Sequence, residues 1–235
     1  MNAGIAMLRQ RYHHNPQWFR SQSICFVDGW FSTTWVGKYD DFKLITPDEE
    51  GGGRMLPAGA FNYYKGDLPE FCKSGKTWGY DITDIYCPLH ILKDHWVALW
   101  ISIPNRYITV WDCFIRHANE KEIEERVEPI AVMLPNLLRD ACAVEDRHKF
   151  SRERYTHERI KKGIVQNPQV GDCGVYSLKY IELHALGTSF SPPSALCDKN
   201  IPWIREKLAS EMYDEIKYDG SQGQDYTGLD LYEKN

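Results

Sequence analysis

Two stretches of near-continuous β-branched and aromatic residues constrain this chain most: His95-Trp-Val-Ala-Leu-Trp-Ile-Ser-Ile103 and Tyr107-Ile-Thr-Val-Trp-Asp112. Such composition reads as strand, and the scarcity of polar alternation predicts strands covered on both faces. Pro104-Asn105 between them is a turn signal. An antiparallel pair follows, in which the residue opening the first strand and the residue closing the second share one edge of the sheet. Those residues are His95 and Asp112. A preceding strand is predicted around Ile82, Ile85, Tyr86 and Cys87.

Helices are predicted around this sheet. Met1 to Arg11 places Ile5, Leu8 and Met7 inward, with no capping residue at its start. Residues 24–43, with Ile24, Phe26, Trp30, Phe31, Trp35 and Phe42, read as helix or turn on the core. Residues 45–60 hold four glycines, two prolines and three acids and read as a flexible surface loop. Residues 119–142 read as one or two helices, broken at Pro129 or Pro135. The mixed charges of residues 146–162 read as a solvated face, and Ile164-Val165 as a short strand. Residues 172–186 carry Val175, Leu178, Ile181 and Ala185 on one helical face, and residues 195–216 carry Ile201, Ile204, Leu208 and Met212. The polar, glycine-bearing run after Tyr218 reads as a disordered tail.

Composition narrows the function classes. A net charge of −5 lacks the basic excess of a nucleic-acid surface. No apolar run approaches the roughly 18 residues of a membrane span, which predicts a soluble chain. The 13% aromatic content is expected to build the core. Seven cysteines, an odd number with wide spacings and no Cys-x-x-Cys pair, read as free thiols of a reducing compartment. Cys87, His90 and His95 are the nearest approach to a metal set, and they lack the fourth partner that zinc needs.

The chemistry concentrates at Gly171-Asp172-Cys173-Gly174, which opens a predicted helix. Free backbone N–H groups and the positive end of the helix dipole favour a thiolate there, and Asp172 is a natural cap. Taken alone, a cysteine at a helix start is equally well a small buried apolar residue. Likewise, His95 alone reads as a structural histidine, and Asp112 alone as a turn-forming acid. Together they make a nucleophile, a base and an acid that orients the base, provided the helix carrying Cys173 packs its N-terminus at the shared edge. Acyl transfer also needs an oxyanion donor. Gln166, seven residues before Cys173, can supply one, and Gln169 is its nearer rival.

Residues 84–112, DIYCPLHILKDHWVALWISIPNRYITVWD, and 166–182, QNPQVGDCGVYSLKYIE, resemble the ubiquitin-like-protein-specific (SUMO-type) cysteine protease family, whose clan includes the adenovirus proteinase. Phrases such as GDCGVYSLKYIELHA look most like its plant branch, including copies carried by transposable elements. The resemblance implies an α+β, papain-like fold of the adenovirus-proteinase type, with a central, mostly antiparallel sheet flanked by helices. It implies a catalytic domain over residues 1–217 whose N-terminal part is absent or shortened. In its terms His95 is the base, Asp112 the orienting acid, Gln166 the oxyanion donor and Cys173 the nucleophile. Trp96 lines the narrow groove for a Gly-Gly tail. The implied partner is SUMO or another ubiquitin-like protein and its conjugates, met by a monomer in nucleus or cytoplasm, with no metal or organic cofactor. A domesticated module that only binds the modifier, or an acyltransferase using the same triad, would share these motifs.

Overall fold

The computed structural model describes residues 1–70, 73–92, 94–167, 171–190 and 196–217. Its centre is the sheet anticipated above. Strands β1 (Ile24–Phe26), β2 (Asp84–Ile91), β3 (His95–Ser102), β4 (Tyr107–Trp111) and β5 (Thr156–Ile160) lie in sequential order. The inner strands pair antiparallel, β2 with β3 and β3 with β4, whereas the edge strands β1 and β5 pair parallel to their neighbours. The antiparallel expectation therefore holds for the centre, and the sheet as a whole is mixed.

Helices cover both faces. Val97, Leu99, Ile108 and Val110 pack under α2 (Gly29–Leu44), α3 (Ala60–Lys65) and α4 (Glu120–Ala141). Tyr86, Ala98 and Trp111 on the other face pack under α1 (Asn2–His14), α5 (Cys173–Ala185) and α6 (Ile201–Lys217). Apolar cover on both sides explains why β3 and β4 lack a polar face. No helix among the described residues is long and apolar enough to cross a membrane.

Several sequence expectations are corrected. Ile24–Phe26 is an edge strand, not helix, and α2 begins after it because the Asp28 carboxylate accepts the N–H groups of Trp30 and Phe31. Helix α4 runs unbroken through Pro129 and Pro135, from a capping box formed by Asn119 and Glu122. Its buried face, from Ile123 to Leu138, outweighs the backbone bonds that two prolines remove. The charged stretch 146–162 is not all solvated: Thr156–Ile160 is β5, with Arg159 buried. Ile164 and Val165 form no strand and pack against the second core. The residues after Tyr218 lie outside the described ones.

Where α5 meets the sheet, His184 sits with its ring centroid 4.6 Å from Trp100 and 4.7 Å from Trp111. Arg20 Nη1 lies 3.0 Å from His184 Nε2. A guanidinium can only donate, so Nε2 is the acceptor and Nδ1 carries the proton, which it donates to Tyr86 Oη at 2.7 Å. Burial, then the Arg20 charge, pushes the imidazole down to about 4. Because this histidine resists protonation only when folded, its contribution to stability is intact above about pH 6.5 and is lost as pH falls from there to about 4. Wild type is expected to lose on the order of 2 kcal/mol more than His184→Gln across that window. Urea unfolding at a series of pH values measures this, and parallel pH curves for the two proteins would contradict it.

Candidate active site

The hairpin β3–β4 brings His95 and Asp112 to one edge, as their 17-residue separation requires. The imidazole is 3% exposed and the carboxylate 0%. His95 Nε2 donates to Asp112 Oδ1 at 2.8 Å, and the Phe114 N–H donates to the same oxygen at 2.8 Å. Opposing its burial, the His95 hydrogen bond and charge, the Phe114 N–H and the Arg159 charge hold the Asp112 carboxyl below its ordinary value.

Cys173 is the first residue of α5 and is buried against the second core. Its thiol donates to the Asp94 carbonyl oxygen at 3.8 Å, and the His95 side chain and the backbone N–H groups of Trp96 and Gly174 are near enough to favour its thiolate. Burial alone would push this thiol up, but those donors and the imidazolium charge outweigh it and bring it down. The same balance acts on His95: burial lowers it, while hydrogen bonds to Asp112 and Cys173 raise it to about 9. Sulfur and ring therefore each favour the charged form of the other. The neighbouring Cys113 is the opposite case, a thiol driven up by burial and by the Asp112 charge.

Asp172 does not cap the helix through its side chain. Its carboxylate instead accepts from Asn167 Nδ2 at 3.1 Å and Arg205 Nε at 3.1 Å. Gln166 lies beside Asp112, where its Nε2 donates to the Asp112 carbonyl at 2.9 Å and its Oε1 accepts the Ile115 N–H at 3.3 Å. That leaves one Nε2 hydrogen uncommitted by these bonds. Gln169 lies outside the described residues.

Trp96 is half-buried on the other side of β3 from its neighbour His95. Its ring lies 4.7 Å from the His90 ring, and its edge abuts Gly29: a Cβ there would fall 3.1 Å from Trp96 Cη2. The next residue, Trp30, is 68% exposed. Sequence reading placed Trp30 in the core. Cys87 and His90 stand three apart on β2 and so face opposite sides of the sheet, which removes the metal set considered from sequence.

Sequence reading also missed Arg159. Its side chain is 1% exposed and its guanidinium bonds Asp112 Oδ2. One buried arginine among many surface charges has no distinguishing pattern in sequence.

A family model described as the Ulp1 protease family, C-terminal catalytic domain, matches residues 1–219. No curated protein sequence matches the chain. Among solved structures, a SUMO protease Ulp1 whose catalytic cysteine is oxidised to a sulfonic acid is 14% identical at a TM-score of 0.52, over 90% of this chain and 77% of that one. The C-terminal Ulp1 protease domain in complex with Smt3, the yeast ortholog of SUMO, is 13% identical at 0.50, over 90% and 76%. A de-sumoylating protease is 14% identical at 0.50, over 97% and 83%. At these identities the structures establish a shared fold.

Proposed function

Because this chain belongs to the Ulp1 protease family and is a cysteine peptidase domain, we propose that it hydrolyses the bond after the C-terminal glycine of a ubiquitin-like modifier, using Cys173, His95 and Asp112. The observation that carries this reading is that the Cys173 sulfur, the His95 ring and the Asp112 carboxylate come together at one edge of the sheet, with the ring bonded to the carboxylate at 2.8 Å.

In this mechanism the Cys173 thiolate attacks the glycine carbonyl carbon, and the carbonyl π pair moves onto oxygen. Gln166, through its second Nε2 hydrogen, and the Cys173 backbone N–H stabilise that oxyanion. Collapse breaks the C–N bond, and the His95 imidazolium gives its proton to the departing amine. The now neutral ring takes a proton from water, whose oxygen attacks the thioester. The second collapse expels the thiolate, frees the glycine carboxyl group and restores the pair. Asp112 holds the ring in the tautomer that serves both transfers.

In this reading Trp96, with the exposed Trp30 beyond Gly29, lines the path of a Gly-Gly tail. The Smt3 complex of the Ulp1 domain supports a ubiquitin-like partner here too. The test is a panel of ubiquitin-like proteins, SUMO included, each bearing a C-terminal fluorogenic amide. Turnover of at least one is expected, and Gln166→Ala is expected to lower its kcat about 100-fold at unchanged KM. Folded wild-type protein that turns over none of the panel would overturn the proposal.

A further inference from the structure

We infer that Arg159 is a positioning residue for this reaction: its buried guanidinium fixes the Asp112 carboxylate in the orientation that holds His95. The inference rests on the peptidase reading above. The β4–β5 register pairs Arg159 with Val110, so Arg159 projects on the same face as Asp112, two residues further along. From there it bonds outward in a fan. Nη2 donates to Asp112 Oδ2 and to the Ile115 carbonyl at 2.9 Å, and Nη1 donates to the Ala118 carbonyl at 2.9 Å and to Glu120 Oε1 at 3.3 Å.

The carboxylate is thereby divided. Oδ1 serves His95 and the Phe114 N–H, and Oδ2 serves Arg159. The terminal torsion of an aspartate is broad and roughly two-fold, so nothing within the side chain keeps one oxygen on the ring. Arg159 supplies that constraint and also the countercharge that keeps a fully buried carboxylate ionised. Its carbonyl bonds anchor the segment 112–118, whose Ile115 N–H holds Gln166. A single guanidinium thus sets both the acid and the support of the proposed oxyanion donor. A lysine cannot reproduce this, because one ammonium lacks the planar fork that reaches four acceptors.

The charged groups facing Arg159 are Asp112 from the end of β4 and Glu120 from α4, the latter also paired with Lys161 at 3.0 Å. Around His95 stand Asp112, Cys173 and the His117 ring at 4.8 Å, with Asp94 on His117 Nε2 at 3.0 Å. Removing Arg159 leaves those neighbours in place and loosens the hold of Asp112 on the ring. The imidazolium then weakens and the Cys173 thiol rises.

The test compares full-length wild type, Arg159→Lys and Arg159→Gln in two assays. One is hydrolysis of the best fluorogenic substrate. The other is iodoacetamide alkylation of Cys173 against pH, resolved by peptide mass spectrometry, which needs no turnover. Arg159→Lys is expected to fold and to lose about 10- to 100-fold in kcat per folded molecule, with KM unchanged. Its Cys173 alkylation midpoint is expected to rise by about one pH unit. Arg159→Gln, where it folds, is expected to show larger changes in the same directions. A folded Arg159→Lys protein with wild-type kcat and midpoint overturns the inference. So does activity that falls only in step with the folded fraction while the midpoint stays put. If wild type hydrolyses nothing, the peptidase reading fails, and the alkylation midpoints still decide the role of Arg159.

Discussion

Cys173→Ala is expected to abolish turnover, by about 10⁴-fold or more, and to leave the protein folded. The size of the effect follows from the division of labour at the site. Backbone donors and binding can stabilise an oxyanion, but the buried thiols Cys87, Cys113 and Cys142 cannot take the place of this one. Burial pushes Cys87, Cys113 and Cys142 up, away from the thiolate form, whereas Cys173 is pulled down by His95 and two backbone N–H groups. The structural cost is small, because alanine is isosteric with the side chain less its sulfur, and should be about 1 kcal/mol. Thermal unfolding and turnover, measured on the same preparation, separate the two. Residual activity within about tenfold of wild type would remove Cys173 from the chemistry.

Asp112→Asn is the second large effect, and it acts on two quantities at once. The ring loses its anionic partner and the partner that fixes its tautomer, an arrangement whose loss costs about 10⁴-fold in kcat in well-studied triads. The same substitution strands the Arg159 guanidinium, 1% exposed, without its counterion, and breaking a buried pair costs about 3–5 kcal/mol. An activity assay alone would therefore mix misfolding with chemistry. Activity per folded molecule, with the folded fraction read from urea unfolding, is expected to fall by about 10³- to 10⁴-fold. The alkaline limb, set in wild type by His95 at about 9, is expected to move to lower pH. A variant that is destabilised yet fully active per folded molecule would make Asp112 purely structural.

The meeting of His95, Asp112 and Cys173 was legible because these residues sit on the strongest patterns in the chain. Long apolar strands with a Pro-Asn turn fix which ends meet, and Asp-Cys-Gly before a 3.6-period face fixes a helix start. The edge strands were not legible. Ile24–Phe26 is too short to show a period, and Thr156–Ile160 buries chiefly one residue, an arginine, amid exposed charges. Arg159 stayed hidden for that reason: its partner is 47 residues away, and only the β4–β5 register brings them together. Asp172 reads as a cap in any sequence, but Asn167 and Arg205 claim its carboxylate in the fold. The prolines of α4 read as breaks because local propensity cannot weigh the apolar face that holds the helix together.

The central claim is that a sulfur at the start of α5 and an imidazole at the start of β3 share one charge. The ring-nitrogen chemical shifts of His95, followed by NMR against pH in wild type and in Cys173→Ala, test it most directly. The expected result is an imidazolium that persists through neutral pH in wild type, titrates near 9, and titrates lower once the sulfur is gone. A ring already neutral at pH 7, or one whose titration ignores the loss of Cys173, would contradict it.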